Sequence, residues 1–189
     1  MHHRDMRKIF PADSGEVLLN PGMGYLFLQR GHRKVRFDEL APGEWFLSRP
    51  LSDKIIFDVA WSVVEPEEGR FDWENPAWEG CMQSWIDAGF KVGLQIRGMG
   101  ANGTFRNDGT PQWVFDAGAG FIDEPGPPDG PPRRYPVYWD PVYLEKSANF
   151  IAAFGERYNR NPAVEMVFQG FLGHFGEMHL SEHTPIRPW

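Results

Sequence analysis

The run Lys54-Ile-Ile-Phe-Asp-Val-Ala-Trp61-Ser-Val-Val64 most constrains how this chain folds. β-Branched and aromatic residues stand at successive positions, not alternate ones, which marks a strand covered on both faces. Such a strand needs helices packed on its sheet, and the flanking sequence supplies them. Asn75-Pro76 and Asp140-Pro141 each join an N-cap residue to a proline at the first helical position. After the first, Trp78, Cys81, Met82, Trp85 and Ile86 recur at amphipathic helical spacing, and Gly89 suits the helix end. After the second, Val142, Leu144, Ala148, Ile151, Ala152 and Phe154 are expected largely on the buried face of a helix that ends at Tyr158–Pro162. Further strands are expected at Met23–Gln29, Phe90–Arg97 and Ala163–Gln169. A short helix or turn is expected at Thr110–Phe115. The Pro/Gly-rich stretch Phe121–Tyr135 is expected to have little structure of its own.

The order is thus β, β, α, β, loop, α, β. Strands joined by helical crossovers pair in parallel. The long loops all follow strand C-terminal ends, which fits a (β/α) barrel better than a doubly wound sheet. Gly98-Met-Gly100-Ala-Asn-Gly103 has the glycine spacing of a dinucleotide site but opens no helix. The expected fold is α/β, a partial (β/α)8 TIM barrel of about the first four β/α units. It would occupy residues 19–189 after an extension at 1–18.

Composition excludes some partners. The net charge of −7 disfavours nucleic acid and anionic membrane surfaces. Arg33-Lys-Val-Arg36 and Arg133-Arg134 are too short to reverse that. A single cysteine, Cys81, leaves no internal disulfide framework. No signal peptide or membrane span is seen, so the cytoplasm is the default compartment. Aromatic residues make up 15% of the chain and include eight Trp. That content serves either a packed core or a sugar cleft, where indole faces stack on pyranose rings.

The segment Val164–His179 carries the chemistry. An apolar strand runs into glycines, and these deliver Glu177 between His174 and His179. Irregular loops at strand ends are where such folds place reactive groups. Arg97 ends the third strand, where it would either bind substrate or pair with Asp58 or Glu65, and Trp61 and Trp113 are candidates either for stacking on a sugar or for core packing. Glu65-Pro66 is expected to be structural, turning the chain sharply into Phe71 and Trp73. The spacing His174-x-x-Glu177-x-His179, with His183 beyond, departs from the helical H-E-x-x-H pattern. No metal or cofactor is therefore assigned, and a metal-dependent hydrolase built on this cluster stands as an alternative.

Trp61-Ser-Val-Val-Glu65-Pro-Glu-Glu-Gly69-Arg-Phe71-Asp-Trp73 resembles the strand-two element of retaining (β/α)8-barrel glycoside hydrolases, notably family 42 β-galactosidases. Asn20-Pro-Gly-Met-Gly-Tyr25 and Gly173-His-Phe-Gly-Glu177 resemble a related group of bacterial barrel proteins of uncertain activity. The resemblance implies that Glu177 is the general acid/base acting on a carbohydrate, with Arg97, His174, His179, Trp61 and Trp113 around the sugar. It also implies a nucleophile on the seventh strand, which four strands do not reach, so the chain reads as the N-terminal half of a barrel. Open sheet edges would then favour self-association. Gly176 stands where these hydrolases carry an asparagine that binds the sugar 2-hydroxyl. A carbohydrate-binding barrel without catalysis is the alternative that this glycine suggests.

Overall fold

Six strands are present in the computed structural model, which describes residues 25–29, 34–40, 52–100, 109–125 and 133–179. They are β1 (Phe27–Gln29), β2 (Lys54–Ala60), β3 (Lys91–Arg97), β4 (Phe121–Glu124), β5 (Arg133–Pro136) and β6 (Val164–Phe168). The main sheet has the order β1-β2-β3-β6, and each neighbouring pair is parallel. The helices are α1 (Trp61–Val64), α2 (Cys81–Asp87), α3 (Gln112–Asp116) and α4 (Pro141–Tyr158). A π-helical turn, Pro76–Gly80, leads into α2. No helix among the described residues is long and apolar enough to cross a membrane.

Local signals set the helix starts. The Asn75 side chain accepts the Ala77 N–H, and the Asp140 side chain accepts those of Val142 and Tyr143. In both cases the following proline takes the first helical position. Successive strand residues point to opposite faces. Ile55, Phe57 and Val59 of β2, with Val92, Leu94 and Ile96 of β3, form the core with Trp78, Trp85, Phe150 and Tyr158. Each such side chain contributes about 1.5–3 kcal/mol by leaving water. Asp58, Gln95 and Arg97 alternate with these residues on the other face.

Three expectations are corrected. β2 stops at Ala60, and Trp61–Val64 turns into a helix whose first amides bond elsewhere: Ser62 N–H donates to the Gly109 carbonyl at 2.8 Å. Residues 121–136 are not structureless, because β4 and β5 form an antiparallel hairpin. Arg134 holds it together, pairing with Asp123 at 2.6 Å while its guanidinium lies 3.7 Å from the Phe121 ring centroid. The buried stripe of α4 is Tyr143, Ser147, Phe150, Phe154 and Tyr158. Leu144 and Ile151, expected inside, are 52% and 54% exposed. Aromatic packing against Trp61, Phe71 and Trp73 fixes the helix's rotation, and the aliphatic positions turn outward.

Candidate functional site

The Trp61–Trp73 element is a clamp. Glu65, 4% exposed, accepts the Trp61 indole N–H on one carboxylate oxygen and the Gly69 amide on the other, both at 2.8 Å. Its carbonyl accepts the Trp113 indole N–H at 3.0 Å. Burial raises the Glu65 pKa, and the two hydrogen bonds act against that rise. Phe71 and Trp73 stack with their ring planes 3° apart. Trp61 is fully buried, with Trp113, Phe150 and Phe171 packed within 6 Å of its ring centre. It offers no ring face to a sugar, and its place is the core. Trp113 is half-buried, edge-on to Trp61.

Arg97 is also withdrawn from solvent, at 4% exposure, where its guanidinium pairs with the fully buried Asp58. Lys34, 8% exposed, donates to the Asp58 carbonyl. β1 pairs with β2 only as far as Phe57, so this lysine takes the place of a strand partner one residue further on. Burial lowers the Lys34 pKa to about 8, with Asp58 opposing and Arg97 reinforcing the shift.

The loop after β6 brings Glu177, His174 and His179 together. It is tied to the C-terminal end of β3. Gly98 N–H donates to the Gly170 carbonyl at 2.9 Å, and the Gln95 side-chain amide donates to the Phe175 carbonyl at 3.0 Å. Gly173 N–H donates to the Tyr138 hydroxyl at 3.1 Å. Within the loop, His174 N–H reaches the His179 carbonyl and Met178 N–H the Leu172 carbonyl, both at 2.9 Å. Phe175 and Met178 hold left-handed backbone with φ of 56° and 58°. Such strain persists only where surrounding bonds over-determine the chain.

At the turn's end, the Glu177 side chain is 47% exposed, and one carboxylate oxygen lies 3.7 Å from His179 Nδ1. His174 is buried, edge-on to Tyr135 and 5.8 Å from the His179 ring. A solvent-reachable carboxyl beside an imidazole on a fixed loop can exchange protons with a bound group. Among the described residues, no group of three His, Cys, Asp or Glu side chains is arranged to hold a metal. His183 lies outside those residues.

Gly176 has no room for a side chain in this backbone. Its φ is 72°, and a Cβ there would lie 2.7 Å from the carbonyl carbon of Gly170. Gln95 and Tyr138, which hold the loop, were not singled out by sequence. Only the polarity of Gln95 within an apolar strand could have marked it.

No curated protein matches the chain. The sequence model of the beta-galactosidase family, glycoside hydrolase family 42, matches residues 55–169. The match begins in β2, takes in the Glu65 clamp, the whole of α2, β3 and α4, and ends just past β6, short of Glu177. Since that stretch is more than half of the 189 residues and carries three of the four parallel strands, the chain belongs to the glycoside hydrolase family 42 (beta-galactosidase) family.

Proposed function

We propose that residues 19–189 supply the first four β/α units of a (β/α)8 barrel, and that Glu177 is the general acid/base of a retaining glycosidase acting on β-galactoside-like glycans. The observation that carries this reading is the place of Glu177, a half-exposed carboxylate on a bonded-down loop at the C-terminal end of the fourth parallel strand. Barrel enzymes do their chemistry at that end. Retaining cleavage also needs a nucleophilic carboxylate about 5–5.5 Å from the acid/base. In this reading it comes from a later strand. The exposed His179 beside Glu177 then meets the sugar, His174 packs near the His179 ring, and Trp113 borders the cleft.

Sheet edges support the half-barrel. Among the described residues β1 and β6 each have one neighbour. Val167 on β6 is 60% exposed and faces a groove against α4 lined by Ile151, Phe154 and Tyr158. Such a face invites a further β/α unit or self-association.

The test is hydrolysis of an aryl β-galactoside by the full-length gene product and its Glu177→Gln variant. Loss of about 10²–10⁴-fold is expected for a general acid, and unchanged turnover would sink the assignment. The 189-residue chain alone is expected to show no turnover. A second reading, sugar binding without cleavage, is favoured by Gly176. It predicts that the full-length protein binds galactosides, and that neither it nor the variant hydrolyses them.

A further inference from the structure

The loop bearing Glu177 is held from outside the parallel sheet by one tyrosine. Residues 172–174 and 178–179 form its two legs, bridged by Met178 N–H to the Leu172 carbonyl and by His174 N–H to the His179 carbonyl. Glu177 stands at the tip between them. Tyr138, in the segment from β5 to α4, fastens the first leg, where its hydroxyl accepts the Gly173 N–H at 3.1 Å. The same hydroxyl donates to the Met99 sulfur at 3.3 Å. A thioether only accepts, so the tyrosine hydrogen is committed to Met99 and the oxygen's lone pair serves Gly173. Met99 and Gly173 are both buried, which makes water a poor substitute for the hydroxyl. Burial also keeps the phenol protonated, with its pKa pushed up to about 12. Gly173 joins the two legs. Its carbonyl accepts the Gly176 N–H at 3.1 Å, and a Cβ on it would collide with the His179 backbone. A shift at Gly173 is therefore passed to Gly176, the neighbour of Glu177, and to His179, whose Nδ1 lies 3.7 Å from the Glu177 carboxylate.

We infer that Tyr138 is a positioning residue for Glu177, setting through Gly173 where the carboxyl stands relative to a bound glycoside. The inference rests on the acid/base reading of Glu177. In that reading the carboxyl gives its proton to the glycosidic oxygen as that oxygen's bond to the anomeric carbon breaks. The bonding electron pair stays on the oxygen, and the carboxylate from a later strand bonds to the carbon. A reacting group misplaced by about 1 Å can cost about 10²-fold in rate. Here the cost falls only on leaving groups that need the proton. A phenol needs it, whereas a dinitrophenol departs as a stable anion without it. A loss of folded protein or of sugar binding, by contrast, slows both substrates alike.

The experiment compares kcat/KM for phenyl and dinitrophenyl β-galactosides in the full-length gene product, with Tyr138→Phe and Glu177→Gln alongside. Tyr138→Phe keeps the ring and removes only the hydroxyl. It should lower kcat/KM for the phenyl substrate about 10–10²-fold and for the dinitrophenyl substrate less than about twofold. Glu177→Gln should show the same selectivity, with a loss on the phenyl substrate of about 10²–10⁴-fold. Selective loss in Glu177→Gln, with equal losses or none in Tyr138→Phe, would overturn the positioning role and leave the acid/base reading standing. An unselective Glu177→Gln, or no hydrolysis by the unaltered product, sinks that reading and the positioning role with it. Should Tyr138→Phe fail to fold, hydrogen exchange of the Gly173 amide in the unaltered protein replaces it. A protected amide is expected, and exchange at the rate of an exposed amide overturns the inference.

Discussion

Replacing Gly176 by Ala tests whether the Glu177 loop is built by close backbone approach. Gly69 provides a matched control. Both glycines have φ of 72°, yet a Cβ at Gly69 meets nothing within 4 Å, while at Gly176 it would overlap three Gly170 backbone atoms, Cα, C and O. The left-handed conformation costs an L-residue about 1–2 kcal/mol. Ala also restricts the unfolded chain, returning about 0.4–1 kcal/mol. Gly69→Ala should therefore destabilise by about 1.6 kcal/mol at most. Gly176→Ala carries the same terms plus overpacking against atoms that cannot rotate away, typically about 1–3 kcal/mol. The loss should thus be about 1–4.6 kcal/mol, larger than at Gly69 by about 1–3 kcal/mol. Urea unfolding followed by tryptophan fluorescence measures both, with slopes compared to confirm that only stability has changed. The two variants falling within about 0.5 kcal/mol of each other, the usual scatter of surface substitutions, would refute the close-approach reasoning. The loop would then have yielded without cost.

Three further outcomes follow from other residues. Lys34 has its pKa lowered by burial from 10.5 to about 8. Below pH 8 both states keep its proton and the burial penalty is in force. Between about 8 and 10.5 the folded state releases the proton first, so the contribution of Lys34 to stability should climb with pH by up to about 3 kcal/mol at roughly 1.4 kcal/mol per pKa unit. Burial also raises the Cys81 thiol pKa to about 11, which lowers stability above pH 9, so the climb is read as the difference between urea titrations of the unaltered chain and of Lys34→Met. An identical climb in the variant would assign it elsewhere. Glu65→Ala removes two hydrogen bonds to one buried carboxylate and should cost about 2–4 kcal/mol. A loss below about 1 kcal/mol in denaturant unfolding would show that the clamp is not structural. Val167→Lys puts a charge on the exposed β6 edge. Light scattering should show less self-association, and unchanged particle size would move the sticky surface away from β6.

What was legible in the sequence depended on how far each determinant reaches. Asn75 and Asp140 announced their helices because a cap bonds amides two and three residues on. The parallel pairing of β2 with β3 was legible because residues buried on both faces leave no alternation to misread. The rotation of α4 was not, since the rings that choose Phe150 over Ile151 arrive from Trp61 and Phe71. The β4–β5 hairpin was hidden because Arg134 finds Asp123 eleven residues back. At the candidate site, the Gly-rich approach to Glu177 was plain. Its fastening was not, for Gln95 reaches Phe175 across 80 residues and Tyr138 reaches Gly173 across 35. Arg97 and Trp61 show the opposite limit. Sequence left each between substrate binding and an interior role, an ion pair with Asp58 or Glu65 for Arg97 and core packing for Trp61, and burial shows both engaged in the interior.

The Glu65 clamp also bears on how the chain reaches this state. Its carboxylate partners, Trp61 and Gly69, each lie four residues away. Closing so short a loop costs little chain entropy, whereas the parallel pairing of β2 with β3 must close one of more than thirty residues. Contacts of low sequence separation form early, and long-range parallel pairings form late. The turn out of β2 therefore organises before the sheet it serves, and it presents Trp61 to α4 as a ready-made docking point.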